Sequence, residues 1–213
     1  VIYELRERIL DGKYAPGQHL QESSLAADLD VSRTPIRDAL RVLANEDLLV
    51  YYPNRGYMVR DVEQADVLDA FDVRGALEGM ACRIVAERGI TAQQQEQLEE
   101  IIARGEEIFA SPEWGETEQA AWRALNTQLH FVLLEISRNR HLDPLLRQIR
   151  RFPRIFDARL DPETEFFQTI YTRDQRLRSH REHIEIIGAI IRREGSRAEA
   201  LMREHVHHNR EVL

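Results

Sequence analysis

Val31-Ser32-Arg33-Thr34-Pro35-Ile36-Arg37-Asp38-Ala39-Leu40-Arg41-Val42-Leu43 writes two opposed stripes onto one short helix. Arg33, Arg37 and Arg41 recur at i, i+4 and i+8, while Ile36, Leu40 and Leu43 fall on the other side. One stripe packs and the other points guanidinium groups at solvent or at a polyanion. Ser32 stands where an N-cap oxygen is wanted, and Pro35 falls in the first turn, where its missing N–H breaks no helical bond. A helix that starts here carries Arg33 and Thr34 at its tip. Such a tip attracts phosphate through its N–H groups and dipole, and arginine adds bidentate reach to phosphate or to a guanine edge. This is the build of a recognition helix.

The neighbouring segments extend that reading. Ser24-Leu25-Ala26-Ala27-Asp28-Leu29-Asp30 predicts a short helix that leads straight into Val31-Ser32, giving helix, tight turn, helix. Downstream, Leu48–Tyr52 and Tyr57–Val59 are short β-type runs around Pro53-Asn54-Arg55-Gly56, a turn in which Gly56 can take positive φ and Arg55 sits at the tip. Ile2, Leu5 and Ile9 space a further helix ahead of these, closed by Asp11-Gly12. A lone arginine stripe reads as a solvated face. Four elements in this order read as a winged helix-turn-helix.

At these residues the chain resembles the winged-helix domain of GntR-family bacterial transcription regulators: Leu25-Ala26, then Val31 to Arg41, then a glycine-containing wing, over residues 1 to about 60. The resemblance implies contacts to operator DNA from Ser32, Arg33, Thr34, Arg37, Arg55 and Gly56. Some members also use an arginine just before the first helix of the motif, where this chain has Glu22-Ser23-Ser24.

Composition sets the wider bounds. With 213 residues, 43% hydrophobic and 31% charged, the chain is long enough for two cores. A net charge of −8 argues against a protein coated in nucleic acid, yet residues 31–60 hold five arginines against Asp38, Glu46 and Asp47. A locally basic surface on an acidic body suits a protein that must leave DNA as well as bind it. Cys82 is the only cysteine, which excludes an intramolecular disulfide and fits a reducing cytoplasm. No apolar run of ~18 residues is available to span a membrane. Starting at Val1 in helical register, the chain is expected to have lost residues from its front.

From residue 63 the pattern turns helical, with predicted helices over 63–88, 91–110, 116–138, 141–159, 165–193 and 196–211 and a kink at Pro153. Thr91 with Gln94, and Ser196 with Glu199, predict capping boxes, and Gly89 and Gly195 sit at breaks. The fold class is therefore mainly α: a winged helix-turn-helix over 1–62, followed over 63–213 by an all-α bundle for effector binding and dimerisation.

Polar residues occupy positions in that bundle where the helical pattern wants apolar ones. Asn126 and His130 share a helix face, His183 lies on a later helix and His205 on the last. Three imidazoles and one oxygen meeting in a bundle suit a divalent metal, Zn first and Ni or Mn as alternatives; taken singly, each histidine reads equally as a hydrogen-bonded core or surface residue. Arg74 falls on the apolar stripe Val67, Ala70, Phe71, Leu77, Ala81, so something anionic should meet it, either a carboxylate of the fold or a ligand. Phe131, Phe166, Phe167 and Tyr171 are candidates to shape a pocket or simply to pack.

Asn126-x-x-x-His130, Glu182-His183 and Met202-Arg203-Glu204-His205 resemble the FCD effector domain attached to the FadR branch of the GntR family, over roughly 63–211. The resemblance implies a metal held by Asn126, His130, His183 and His205, in a place where many members have Asp at the first position. It also implies that Arg74 pairs with a small organic acid effector, and that the protein is a cytoplasmic homodimer on a pseudo-palindromic operator, not an enzyme. A metal hydrolase and a purely structural or metal-free bundle are the rival classes.

Overall fold

Ile36, Ala39, Leu40 and Leu43 are fully buried along one side of the helix Arg33–Asn45 (α3), while Arg33, Arg37 and Arg41 are exposed along the other. The computed structural model describes residues 1–10, 12–61, 64–149 and 171–210. Before α3 come Ile2–Leu10 (α1), the two-residue strand His19–Leu20 (β1) and Glu22–Asp28 (α2); after it come Leu49–Tyr52 (β2) and Gly56–Val59 (β3). The chain divides after Val67 into two compact units.

In the first unit each element buries one side against a shared core of Leu5, Ile9, Leu25, Ile36, Leu40 and Leu49. Gly12, at φ 73°, closes α1 by letting its own N–H reach Ile9 O and that of Lys13 reach Arg8 O. The α2–α3 turn uses the same device without glycine: Asp30 adopts φ 50°, and the Val31 N–H reaches Ala26 O. α2 spans 22–28 where the sequence suggested 24–30, so Glu22 stands on its first turn and Leu29 and Asp30 make the turn. Ser32 holds the N-cap backbone geometry of α3, but its hydroxyl makes no cap bond. The wing is a three-stranded antiparallel sheet in the order β1-β3-β2, with Tyr52 paired to Gly56 across the loop. β1 escaped the sequence reading because two residues carry no periodicity.

The described elements of the second unit are all helices, the first of them starting just before the division. Its helices are Gln64–Arg88 (α4), Ala92–Ala110 (α5), Glu116–Ser137 (α6), Leu142–Ile149 (α7), Arg173–Ile191 (α8) and Gly195–Arg210 (α9), numbered among those residues. Thr91 and Gln94 cap α5 as expected. The box expected at Ser196 and Glu199 is absent: α9 begins a residue earlier, at Gly195, which puts Ser196 inside the helix. A box at Thr172 and Gln175 starts α8 instead. Gly89 takes φ 77° at the break after α4. Leu98, Leu129, Leu133, Ile186, Ile190 and Met202 form the buried interior. Pro153, Phe166, Phe167 and Asp11, and the parts of the two predicted helices within 150–170, lie outside the described residues.

Leu40 is 0% exposed at the centre of α3, so Leu40→Ala should lower the unfolding free energy of the first unit by about 2–5 kcal/mol, read as a fall in its denaturant midpoint at unchanged slope.

Candidate functional site

The exposed face of α3 carries the residues expected to read DNA. Arg33, Thr34 and Arg37 are exposed, and Arg55 is exposed at the tip of the wing, where Asn54 and Gly56 take φ of 65° and 79°. Arg33, Glu22, Tyr51 and Gly56 line one cleft between the start of α3 and the wing. The fold thus brings helix tip and wing to one side of the unit. Sequence reasoning missed that Arg37 is held: its Nε donates to Glu22 Oε1 at 3.1 Å and its Nη2 to Oε2 at 2.8 Å.

In the second unit, three elements bring three buried imidazoles together. His130 comes from α6, His183 from α8 and His205 from α9, exposed by 2%, 2% and 0%. One nitrogen from each lies within 4.8 Å of the others. The Nε2 atoms of His183 and His205 are 3.2 Å apart, so one must donate and the other accept when no ion lies between them. Such a set of imidazole nitrogen donors fits Zn²⁺ or a similar imidazole-tolerant cation.

Carboxylates orient two of the rings from behind. Glu78 Oε2 lies 2.6 Å from His130 Nδ1, and Glu182 Oε2 lies 2.8 Å from His205 Nδ1. Each carboxylate fixes Nδ1 as the protonated nitrogen and leaves Nε2 as the ligand atom, the arrangement that metal-binding histidines generally show. Glu182 also takes His208 Nδ1 at 2.7 Å through its other oxygen. Burial pushes the His130 imidazolium down to about 4 against the opposing pull of Glu78, and burial also drives His183 well below its ordinary value, aided by His205 and His130. Burial would raise Glu182, but its bonds to His205 and His208 hold it below the usual carboxylate range. At neutral pH, then, His130 and His183 are unprotonated, as metal binding requires.

Among the described residues, Arg74 meets the anion Glu78. Arg74 Nε donates to Glu78 Oε1 at 3.0 Å, with both side chains about 95% buried. Glu78 therefore links the cation of α4 to the ring of His130 on α6. The signal lay in the sequence as an i, i+4 Arg/Glu pair on an apolar stripe; Glu182, next to His183, gave only adjacency. Asn126 is half-buried one turn before His130. Trp122, another turn back, stacks on His183 and meets the edge of His180. His180 lies against Gly105 of α5, where a methyl would collide with its Cε1. Phe131 is 44% exposed, and Tyr171 OH donates to Asn209 O.

Comparison with known proteins gives both units relatives. Residues 69–208 match the FCD domain and residues 1–59 match "Bacterial regulatory proteins, gntR family". The chain is 28% identical to the Nta operon transcriptional regulator of Aminobacter aminovorans, over 91% of this chain and 83% of that protein. It is 26% identical to the HTH-type transcriptional repressor GlaR of Escherichia coli, over 95% of this chain and 89% of that protein. Among solved structures, E. coli McbR/YncC shares the fold with a TM-score of 0.68 at 20% identity, over 98% of this chain and 92% of that one.

Two outcomes follow from the histidine cluster. Glu182→Gln keeps all three imidazoles but loses the ring-orienting charge, and should weaken binding of added Zn²⁺ by roughly 10- to 100-fold in competition with a chromogenic chelator. In chelator-treated protein, the unfolded chain binds protons below about 6.5 that folded His130 refuses until about 4. Stability of the metal-free second unit should therefore fall as pH drops through that window, seen as a declining melting temperature that added Zn²⁺ restores at the upper end.

Proposed function

The chain belongs to the GntR family of bacterial regulatory proteins and carries an FCD domain, and from that premise we propose that its hold on an operator is set by a small carboxylate bound at a metal-containing pocket. DNA-binding transcription regulation is the activity of the family. The hydrolase alternative gives way, since the matched families and relatives are regulators and not enzymes. One observation carries the effector reading: three buried imidazoles converge beside a buried Arg74–Glu78 pair.

Each residue has a part in this reading. His130, His183 and His205 hold the metal, with the amide oxygen of Asn126 as fourth donor. The metal supplies a Lewis-acidic seat for one carboxylate oxygen. Arg74, whose Nε donates to Glu78, brings a guanidinium cation to which the acid is drawn. Asn126 adds no charge, so the cation keeps more of its attraction for an anionic ligand than it would beside aspartate. Ser32, Arg33, Thr34, Arg37, Arg55 and Gly56 form the DNA-reading surface.

Two heads are needed for a pseudo-palindromic operator, with each α3 in a major groove about one helical turn from the other. The protein therefore acts as a homodimer. An acid that prefers one arrangement of the heads shifts the population toward it, and one with equal affinity for both changes nothing. Repression relieved by ligand is the sign we assign.

Carboxylic acids titrated into metal-analysed protein on a fluorescent operator duplex test this reading. One acid should lower the anisotropy, and the response should vanish on chelation and in His183→Ala. A flat response across a broad panel, with no metal in the purified protein, would leave the second unit as a dimerisation platform.

A further inference from the structure

A carboxylate on a DNA-reading face is repelled by phosphate and lowers non-specific affinity, so its presence calls for a use. Glu22 is such a group. It is the first residue of α2, lines the cleft that Arg33 and Gly56 also line, and takes the guanidinium of Arg37 through two bonds of 3.1 and 2.8 Å. The bond from Arg37, with Arg33 adding its charge, keeps Glu22 ionised below the usual carboxylate range against a small opposing effect of burial.

The geometry of the pair is side-on. Nε and Nη2 face Glu22, so the end of the guanidinium formed by Nη1 and the second Nη2 hydrogen points away from the carboxylate. Two parallel donors at that end match O6 and N7 of guanine, the commonest specific arginine contact. An unpaired arginine loses rotamer entropy when it binds; one held in a bidentate pair has already lost it. The pair also removes the net charge that would otherwise draw Arg37 toward any phosphate.

We propose that Glu22 is a specificity-determining positioning residue, holding Arg37 side-on so that its outer edge is presented to one guanine of the half-site. This rests on the reading that α3 lies in the major groove.

The test is selection of bound duplexes from a randomised library by the full chain, followed by affinity and salt titrations for wild type, E22Q, E22D, R37A and the double variant E22Q/R37A. R37A should lose a guanine preference of roughly 5- to 150-fold at one position. E22Q, which keeps the guanidinium, should fall most of the way to that value. Its non-specific binding should tighten, with a salt slope steeper by about 0.9 per head as Arg37 turns to phosphate. E22D keeps the charge and should hold the wild-type slope while losing preference. The double variant should match R37A alone, because Glu22 acts through Arg37. Wild-type preference in E22Q overturns the proposal. So does an E22Q effect that persists without Arg37 and maps to a cytosine, which would make Glu22 a direct reader. An unchanged motif in R37A removes the α3 reading itself, a different failure. Equal melting temperatures across the set exclude misfolding as the cause.

Discussion

A charge removed from water must be met by another, and much of the second unit is arranged around one such pairing. Arg74 and Glu78 are both about 95% buried. Neither is tolerable there alone, because an uncompensated buried charge costs several kcal/mol or more. Joined, they still leave one carboxylate oxygen to satisfy, and His130 takes it at 2.6 Å. That bond settles which nitrogen of the ring carries the proton and which turns toward His183 and His205. The ion pair on α4 thus fixes the tautomer of an imidazole on α6.

Burial works in the opposite sense on the histidines. Desolvation strips the proton from His130 and His183, with His205 adding to the effect on both and His130 to the effect on His183. With no ion between them, His183 and His205 share one proton between their Nε2 atoms, 3.2 Å apart, and one nitrogen from each of the three rings lies within 4.8 Å of the others. The same three nitrogens could hold a cation. Trp122, buried and stacked on His183, supplies an apolar wall beside it.

The first unit was the more legible half, because its decisive signals are local. A guanidinium stripe opposite Ile36, Leu40 and Leu43 on one helix is a matter of period, and the wing announces itself through Asn54 and Gly56 at positive φ. What escaped reading there was non-local or too short: β1 has two residues, and the Glu22–Arg37 pair spans 15 positions. In the second unit the three histidines were legible through the resemblance alone, since eight histidines offer too many triples for spacing to choose. Capping boxes show the same limit at short range. Thr91 and Thr172 cap their helices, whereas Ser196 fits the pattern as well and does not, because α9 has already begun at Gly195.

Charge decides what kind of ligand this centre suits. Aspartate at position 126 would cancel part of the charge of a divalent ion; Asn126 cancels none. His130 and His183 are neutral donors, Arg74 and Glu78 offset each other, and the carboxylate of Glu182 stands behind His205. A divalent cation in the proposed site would meet, among the described residues, only the one carboxylate of Glu182 beyond the Arg74–Glu78 pair, and so would keep net positive charge in a low-dielectric setting, which is costly until an anion arrives. The proposed centre would therefore be stabilised by an acid more strongly than an aspartate-bearing one. A neutral compound of the same shape gains little from it. In a two-state regulator only such differential free energy can move the equilibrium, so on the proposed reading the neutral amide at position 126 would make occupancy by metal and occupancy by acid depend on each other.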